Sequence, residues 1–316
     1  MGAAYGVVLL SFLFVLGVSP VLIRVLHGLK WTQPIRRELS ADHQAKRGTP
    51  LMAGLILTAG AVWPWLAYSS ERMTLLFMSF LLFSAVGFVD DYRKAAFQDP
   101  AGISSRTKLL LQFAAAGALL LMLNGSIGMD TELSATRSLR LDAGPVLYTM
   151  LALLFAVGTA NAVNYTDGLD GLLIVVSIPT YFFFFAVTEQ AEVKLFSLAM
   201  IGCLLGLLVY NAYPAKAFMG DTGSLAIGGS LAFLAIVEKV EALIPLLFFV
   251  YFAIQLSSVL QIWYYKRTKL RLFRMAPIHY HFQLQYGWSE NKIVLVFGLV
   301  SWICALLGIA CRKVFF

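Results

Sequence analysis

Charge is scarce in this chain. Of its 316 residues only 13% are Asp, Glu, Lys or Arg, while 59% are apolar, and the mean hydropathy is +0.79. A water-soluble fold of this length needs far more polar surface, so a soluble two-domain protein is excluded. Cysteine is scarce as well: Cys203, Cys304 and Cys311 lie in apolar stretches without metal-ligand spacing. They read as small buried hydrophobes, and no disulfide framework is expected. Period-two alternation is missing, because runs such as FLLFSAVGF and LLFFVYFAI are continuously apolar, and this excludes a transmembrane β-barrel. No hydrophilic stretch is long enough for an extramembrane domain. The first apolar run has no basic residue before it and no small-x-small cleavage site, and Arg24 follows it, so it reads as a span rather than a signal peptide.

What remains is an all-α polytopic membrane protein, one transmembrane domain over 1–316. Apolar windows long enough for a hydrocarbon core of about 30 Å fall near 5–26, 50–68, 72–89, 108–128, 146–165, 170–188, 194–213, 222–237, 243–264 and 291–311. These ten expected helices divide the connections into two alternating sets. Segments 24–49, 90–108, 166–169, 214–221 and 265–292 carry 17 Lys and Arg, whereas the termini and the other connections carry 7. The positive-inside rule makes the first set cytoplasmic and puts both termini outside. Cytoplasmic loops are then expected at about 27–49, 90–107, 166–169, 214–221 and 265–290. The net charge of +7 is explained by this distribution, so no nucleic-acid partner is expected, only the lipid bilayer.

Carboxylates near membrane depth are costly and usually functional. The outer acids are scattered through hydrophilic loops, but Asp90, Asp91, Asp167, Asp170 and Asp221 each abut or enter a span on the cytoplasmic side. Val-Asp90-Asp91-Tyr-Arg-Lys94 places Lys94 three and four residues after the paired acids, on one face of a continuing helix. Paired carboxylates suit Mg²⁺, and a neighbouring lysine suits phosphate. The stretch from Asn161 to Gly171 holds two Asn, two Asp and two Gly at the end of an apolar helix, a polar pocket or a tight turn. Asn211 through Ser224 sets Asp221 beside Gly, Thr and Ser at a helix start, where free N–H groups favour phosphate, or where the acid merely caps the helix. In Met275-Ala-Pro-Ile-His279-Tyr280-His281-Phe282 the two histidines share a face if the segment is extended. The basic and aromatic surroundings there also suit an anchor against anionic headgroups. Lys46-Arg47-Gly48-Thr49-Pro50 precedes the second span; its basic residues are expected from topology, with a weak hint of an anion site.

Taken in order, K-R-G-T-P, V-D-D-Y-R-K, N-A-V-N-Y-T-D-G-L-D-G, N-A-Y-P-A-K-A-F-M-G-D-T-G-S and M-A-P-I-H-Y-H-F resemble the motifs of the polyprenyl-phosphate N-acetylhexosamine-1-phosphate transferases. The resemblance covers essentially the whole chain, and the last motif points to the muramoyl-pentapeptide branch. It implies attack of undecaprenyl phosphate on UDP-N-acetylmuramoyl-pentapeptide, giving lipid I and UMP with Mg²⁺ as cofactor, on the cytoplasmic face of the bacterial plasma membrane. A homodimer is among the assemblies open to such a protein. By the residues and the resemblance together, Asp221 is expected to ligate the metal, Lys94 and Lys108 to stabilise phosphate oxygens, and Asp90 and Asp91 to orient the acceptor phosphate or help hold the metal. By the resemblance alone, Asn211 and Phe218 with Asp167, Gly168, Leu169 and Asp170 form a uridine pocket. Lys46, Asn161, His279 and His281 complete the nucleotide-sugar end, with His279 in the catalytic set. Two departures stand out: Tyr280 replaces the middle of three consecutive histidines, and Leu51 and Ala53 interrupt the family's T-P-T-M-G-G. The alternatives are a sister transferase using UDP-N-acetylglucosamine, and a transporter of phosphorylated lipid or sugar. Transport predicts polar groups through both membrane halves and an internal repeat, neither of which is seen.

Overall fold

The computed structural model describes residues 2–33, 48–134, 136 and 140–315. Its helices are α1 (Gly2–Gly28), α2 (Leu55–Ala67), α3 (Glu71–Phe97), α4 (Ser105–Ser126), α5 (Gly144–Thr166), α6 (Leu172–Val187), α7 (Ala191–Asn211), α8 (Gly220–Val237), α9 (Ile244–Leu247), α10 (Phe249–Thr268), α11 (Ile278–Tyr286) and α12 (Glu290–Phe315). Among the described residues seven helices are long and apolar enough to cross a membrane. A bent pair, Glu241–Leu247 followed by Phe249–Thr268 at 71°, makes an eighth, and α2 and α6 are shorter apolar helices. The chain is an all-α polytopic membrane protein. One small departure is an antiparallel hairpin, Glu132–Ser134 with Arg140–Asp142, in the connection from α4 to α5.

Local sequence sets the helix ends. Ser70 caps α3, its hydroxyl accepting from Met73 N at 3.1 Å, and Ser104 caps α4 by accepting from Thr107 N at 3.1 Å. The second cap starts α4 early enough to put Lys108 in its first turn. Gly220 has φ +74°, a left-handed turn that opens α8.

Helix α8 is the centre of the bundle, with 83% of its most apolar window buried. It reaches that position through small residues. A Cβ at Gly87 of α3 would fall on the Asp221 carbonyl, one at Gly228 would strike Ala160 of α5, and one at Gly229 would strike Phe83. In a bilayer, where the lipid tails are as apolar as leucine, this close approach is what holds helices together. By contrast α1 keeps only 17% of its window buried and presents Leu9, Leu10, Leu13 and Val21 outward.

The structure corrects several sequence expectations. The second span begins at Leu55, not 50, because residues 50–54 give their backbone to other loops. Leu51 N donates to Trp31 O, while Ala53 N and Gly54 N donate to Phe218 O and Met219 O, at 2.9–3.0 Å. The third helix does continue through Asp90, Asp91 and Lys94 to Phe97, as their one-face spacing anticipated, and the non-helical link to α4 is 98–104. The expected helix over 243–264 is broken at Phe248, whose φ −101° and ψ 15° leave the helical region. Residues 278–286 are helical, not extended.

Candidate functional site

Four helix ends meet at one end of the bundle: the last two turns of α3, the last turn of α5, and the first turns of α4 and α8. The α3 turn delivers Asp90, Asp91 and Lys94, α4 delivers Lys108, and α8 delivers Asp221. Both ammonium groups are shared among the carboxylates. Lys94 Nζ lies 2.5 Å from Asp90 Oδ2, 3.2 Å from Asp221 Oδ2 and 3.8 Å from Asp91 Oδ1. Lys108 Nζ lies 2.6 Å from Asp221 Oδ2 and 3.0 Å from Asp90 Oδ2. Asp90 and Asp91 are fully buried, and the other three side chains keep 14–19% exposure, a narrow opening to solvent.

Each carboxylate is held from a second direction. Asp90 Oδ1 accepts from Ile103 N at 2.9 Å, and Gly102 beside it, at φ +64°, is pressed so close that a Cβ would collide with the carboxylate. Asp91 Oδ2 accepts from the backbone N and the hydroxyl of Thr222 at 2.8 and 2.7 Å, so Asp91 caps α8 from another helix. Gly220 touches the same oxygen in the same way as Gly102 touches Asp90. Asp221 Oδ1 accepts from Asn164 Nδ2 at 2.8 Å, and the same amide donates to Ser224 Oγ at 2.8 Å.

Asp167, just past the end of α5, lies within electrostatic reach of this cluster. Burial, with the charges of Asp221 and Asp91, pushes its carboxyl up to about 8. Next to it, Gly168 is so close to the buried His279 ring that a Cβ would strike Nε2. The hydroxyl of Tyr280 donates to Gly168 O at 2.7 Å.

Other expected site residues are placed differently. Asn161 faces α4, its amide donating to Gln112 Oε1 at 2.7 Å and Val157 O at 2.8 Å, and makes no bond to the carboxylate cluster. Asn211 and Asp170 tie two loops together: Asn211 binds Gly171 N and Ala217 O at 3.2 and 2.9 Å, and Asp170 Oδ2 accepts from Ala215 N at 2.9 Å. Leu169 is buried in the main apolar core, and the half-buried Phe218 packs against Leu26, Leu51, Met52 and Ala95. Because 278–286 is helical, His279 and His281 point apart. His279 is buried, while His281 Nδ1 accepts from Arg274 N at 3.1 Å. Lys46 lies outside the described residues.

Three contributors carried no role in the sequence reading. Asn164 was legible as the second asparagine of its motif, one helical turn after Asn161. Thr222 was legible only as a candidate helix cap, because its partner Asp91 comes from a helix far away in sequence, and the Ile103 amide, which reaches back 13 residues to Asp90, gave no signal.

The donor set fits a hard divalent cation. Oxygens of Asp90, Asp91 and Asp221 all lie within 4.8 Å of one another, and Asp91 Oδ1 is buried without a hydrogen-bond partner. Charge points the same way. Three carboxylates against two ammonium groups leave the cluster one negative charge, which would repel a phosphate, whereas one divalent ion makes it positive by one.

Such a constellation on a helical membrane scaffold suits a phosphate-handling transferase, and residues 73–239 match the model of glycosyl transferase family 4. Curated relatives named phospho-N-acetylmuramoyl-pentapeptide-transferase match nearly end to end. The one from Clostridium beijerinckii is 38% identical over 95% of this chain and 94% of its own length. That of Clostridium acetobutylicum is 37% identical over 98% of both chains, and that of Carboxydothermus hydrogenoformans is 39% identical over 95% and 96%. The chain belongs to glycosyl transferase family 4, in the group of the phospho-N-acetylmuramoyl-pentapeptide-transferases.

Proposed function

We propose that this enzyme transfers phospho-N-acetylmuramoyl-pentapeptide from its UDP conjugate to undecaprenyl phosphate, giving lipid I and UMP in bacterial peptidoglycan synthesis. The observation that carries the reading is the five-residue cluster of Asp90, Asp91, Asp221, Lys94 and Lys108 in a chain related over its whole length to enzymes of that name. The site opens on the cytoplasmic side of the plasma membrane. The structure supplies seven long helices and a bent pair; taking the shorter apolar helices α2 and α6 as further spans gives ten, and the bias of Lys and Arg then favours both termini outside.

In the reaction an acceptor phosphate oxygen attacks the sugar-side phosphorus of the donor, and the bond from that phosphorus to the bridging oxygen breaks to release UMP. Both reactants are anionic, so catalysis is mainly charge neutralisation and in-line positioning. Lys94 and Lys108 supply two positive charges and turn from the carboxylates to the phosphate oxygens. Asp221 would hold Mg²⁺ with Asp90 and Asp91 near it, and the ion would supply positive charge to offset that of the diphosphate. An acceptor phosphate with a second pKa of about 6 is already largely dianionic at neutral pH. Direct attack therefore needs little from a general base. It also agrees with Asp90, both of whose oxygens are engaged by Ile103 N and the two lysines. Asp91 acts chiefly by fixing the start of α8. By the family resemblance the loops that carry Asp167, Gly168 and Phe218 border the uridine, with Leu169 packed behind them and Asp170 and Asn211 tying those loops together. Lys46 and His281 serve the sugar end, while Asn161 is held on α4 and His279 packs against Gly168.

UMP release by the purified protein with Mg²⁺, undecaprenyl phosphate and either UDP-N-acetylmuramoyl-pentapeptide or UDP-N-acetylglucosamine tests the reading. Turnover with only the first is expected. Turnover with only the second assigns the sister reaction, and turnover with neither returns the protein to a transport role. Asp221→Asn is expected to lower kcat by at least about 10²-fold and to weaken Mg²⁺ activation; near-wild-type turnover would remove Asp221 from the metal site.

A further inference from the structure

The short helix α11 is anchored on one side to its own neighbourhood. Ile278 N donates to Ser257 Oγ of α10 at 2.9 Å, Phe273 N to Gln261 Oε1 at 2.8 Å, and Arg274 N to His281 Nδ1 at 3.1 Å. On its other side Tyr280 reaches across to the turn that follows α5, bonding the Gly168 carbonyl. That turn has two ends. Residues 170–171 are tied to the loop after α7 by Asn211 and Asp170, while the 167–168 end, beside the carboxylate cluster, meets α11 through Tyr280 and the packed His279 ring.

We propose that Tyr280 is a positioning residue: its hydroxyl, by holding the Gly168 carbonyl, sets the orientation of the 167–171 turn and with it the donor nucleotide end of the site. The inference rests on the transferase reading above for its kinetic consequence, but not for the strap itself. The reach is specific to a long side chain ending in a hydroxyl, since the phenol oxygen stands at the far edge of the ring from the α11 backbone. A residue at 168 larger than glycine would push His279 away and break the same closure. A part-buried neutral hydrogen bond of this kind is worth roughly a fivefold change in an equilibrium.

The test is Tyr280→Phe, which keeps the ring and its packing and removes only the oxygen. Two readouts are taken. Amide hydrogen exchange is expected to speed up in residues 166–171 and to stay unchanged in the 98–104 loop. KM for the UDP-linked donor is expected to rise about fivefold, with kcat and the KM for undecaprenyl phosphate within twofold of wild type. Unchanged exchange at 166–171 overturns the strap whatever the kinetics. Faster exchange with an unaltered donor KM overturns its role in donor positioning, as does an equal fall in kcat with both KM values fixed. A wild-type protein that releases no UMP from the donor overturns the transferase reading instead, while the exchange measurement still decides the strap.

Discussion

Burial leaves both ring nitrogens of His279 without a hydrogen-bond partner and holds its pKa down to about 3. The imidazole is therefore neutral throughout the range in which an exposed histidine titrates. In the unfolded chain the same ring takes up a proton near pH 6.5, a proton the folded protein refuses until about pH 3. The sign follows: the contribution to stability is complete above pH 6.5 and is lost as the pH falls toward 3. The slope from this one residue is at most about 1.4 kcal/mol per pH unit. His279→Gln is expected to flatten the acid side of the profile, measured as the unfolding midpoint at pH 7.5 and pH 5.0 in wild type and variant. Parallel losses in the two proteins would mean that the ring is not a buried neutral group. At this scale the sequence told which residues matter better than where they point. The doubled aspartate with its lysine, and the aspartate at a helix start, were legible because charge at membrane depth needs an explanation. Asn161, Asn211 and Asp170 stand in the same polar motifs, yet Asn211 and Asp170 spend their side chains on holding loops and Asn161 on Gln112 of the neighbouring helix. Residue type at a helix end does not distinguish a ligand contact from a tether.

Between elements the decisive contact is that of α3 with α8, where backbones approach until Gly87 meets the carbonyl of Asp221. The contact sits one helical turn before Asp90 and Asp91, so it fixes the register between the paired acids on one helix and the single acid on the other. Gly87→Ala must part the two helices, and such overpacking costs about 1–3 kcal/mol. It is expected to lower UMP release further than the lost stability alone explains, because Asp221 shifts relative to Asp90. Gly117→Ala on α4 is the control. Nothing lies within 4 Å of a Cβ there, so the change should be neutral or stabilising by up to about 1 kcal/mol, the helix propensity difference. Equal behaviour of the two variants in a combined unfolding and turnover assay would show that the α3–α8 approach is not what positions the acids. Long apolar helices were visible in the sequence for the reason that their length is set by the bilayer. Two exceptions share one cause: residues 50–54 and the helix over 278–286 are shaped by partners from other segments, and composition carries no record of those partners.

For the whole molecule, the acids and lysines of the site gather at one end of the bundle, while the opposite end carries ordinary solvated pairs such as Arg140 with Glu132 and Lys194 with Glu189. On the proposed reading, the uneven distribution of Lys and Arg puts the first end in the cytoplasm, together with the nucleotide-linked donor. That assignment can be measured without any assay of activity. With Cys203, Cys304 and Cys311 replaced by alanine, a single cysteine is introduced either as Ser69→Cys, in the exposed link between α2 and α3, or as Ala101→Cys, in the exposed loop between α3 and α4. A membrane-impermeant maleimide is expected to label Ser69→Cys in intact cells and Ala101→Cys only after the membrane is opened. The two positions flank one helix, α3, which carries Asp90 and Asp91 near its second end. The reverse labelling pattern would therefore turn the whole bundle over and put the carboxylates on the side where no nucleotide donor is available, and the transferase reading would fall with the topology.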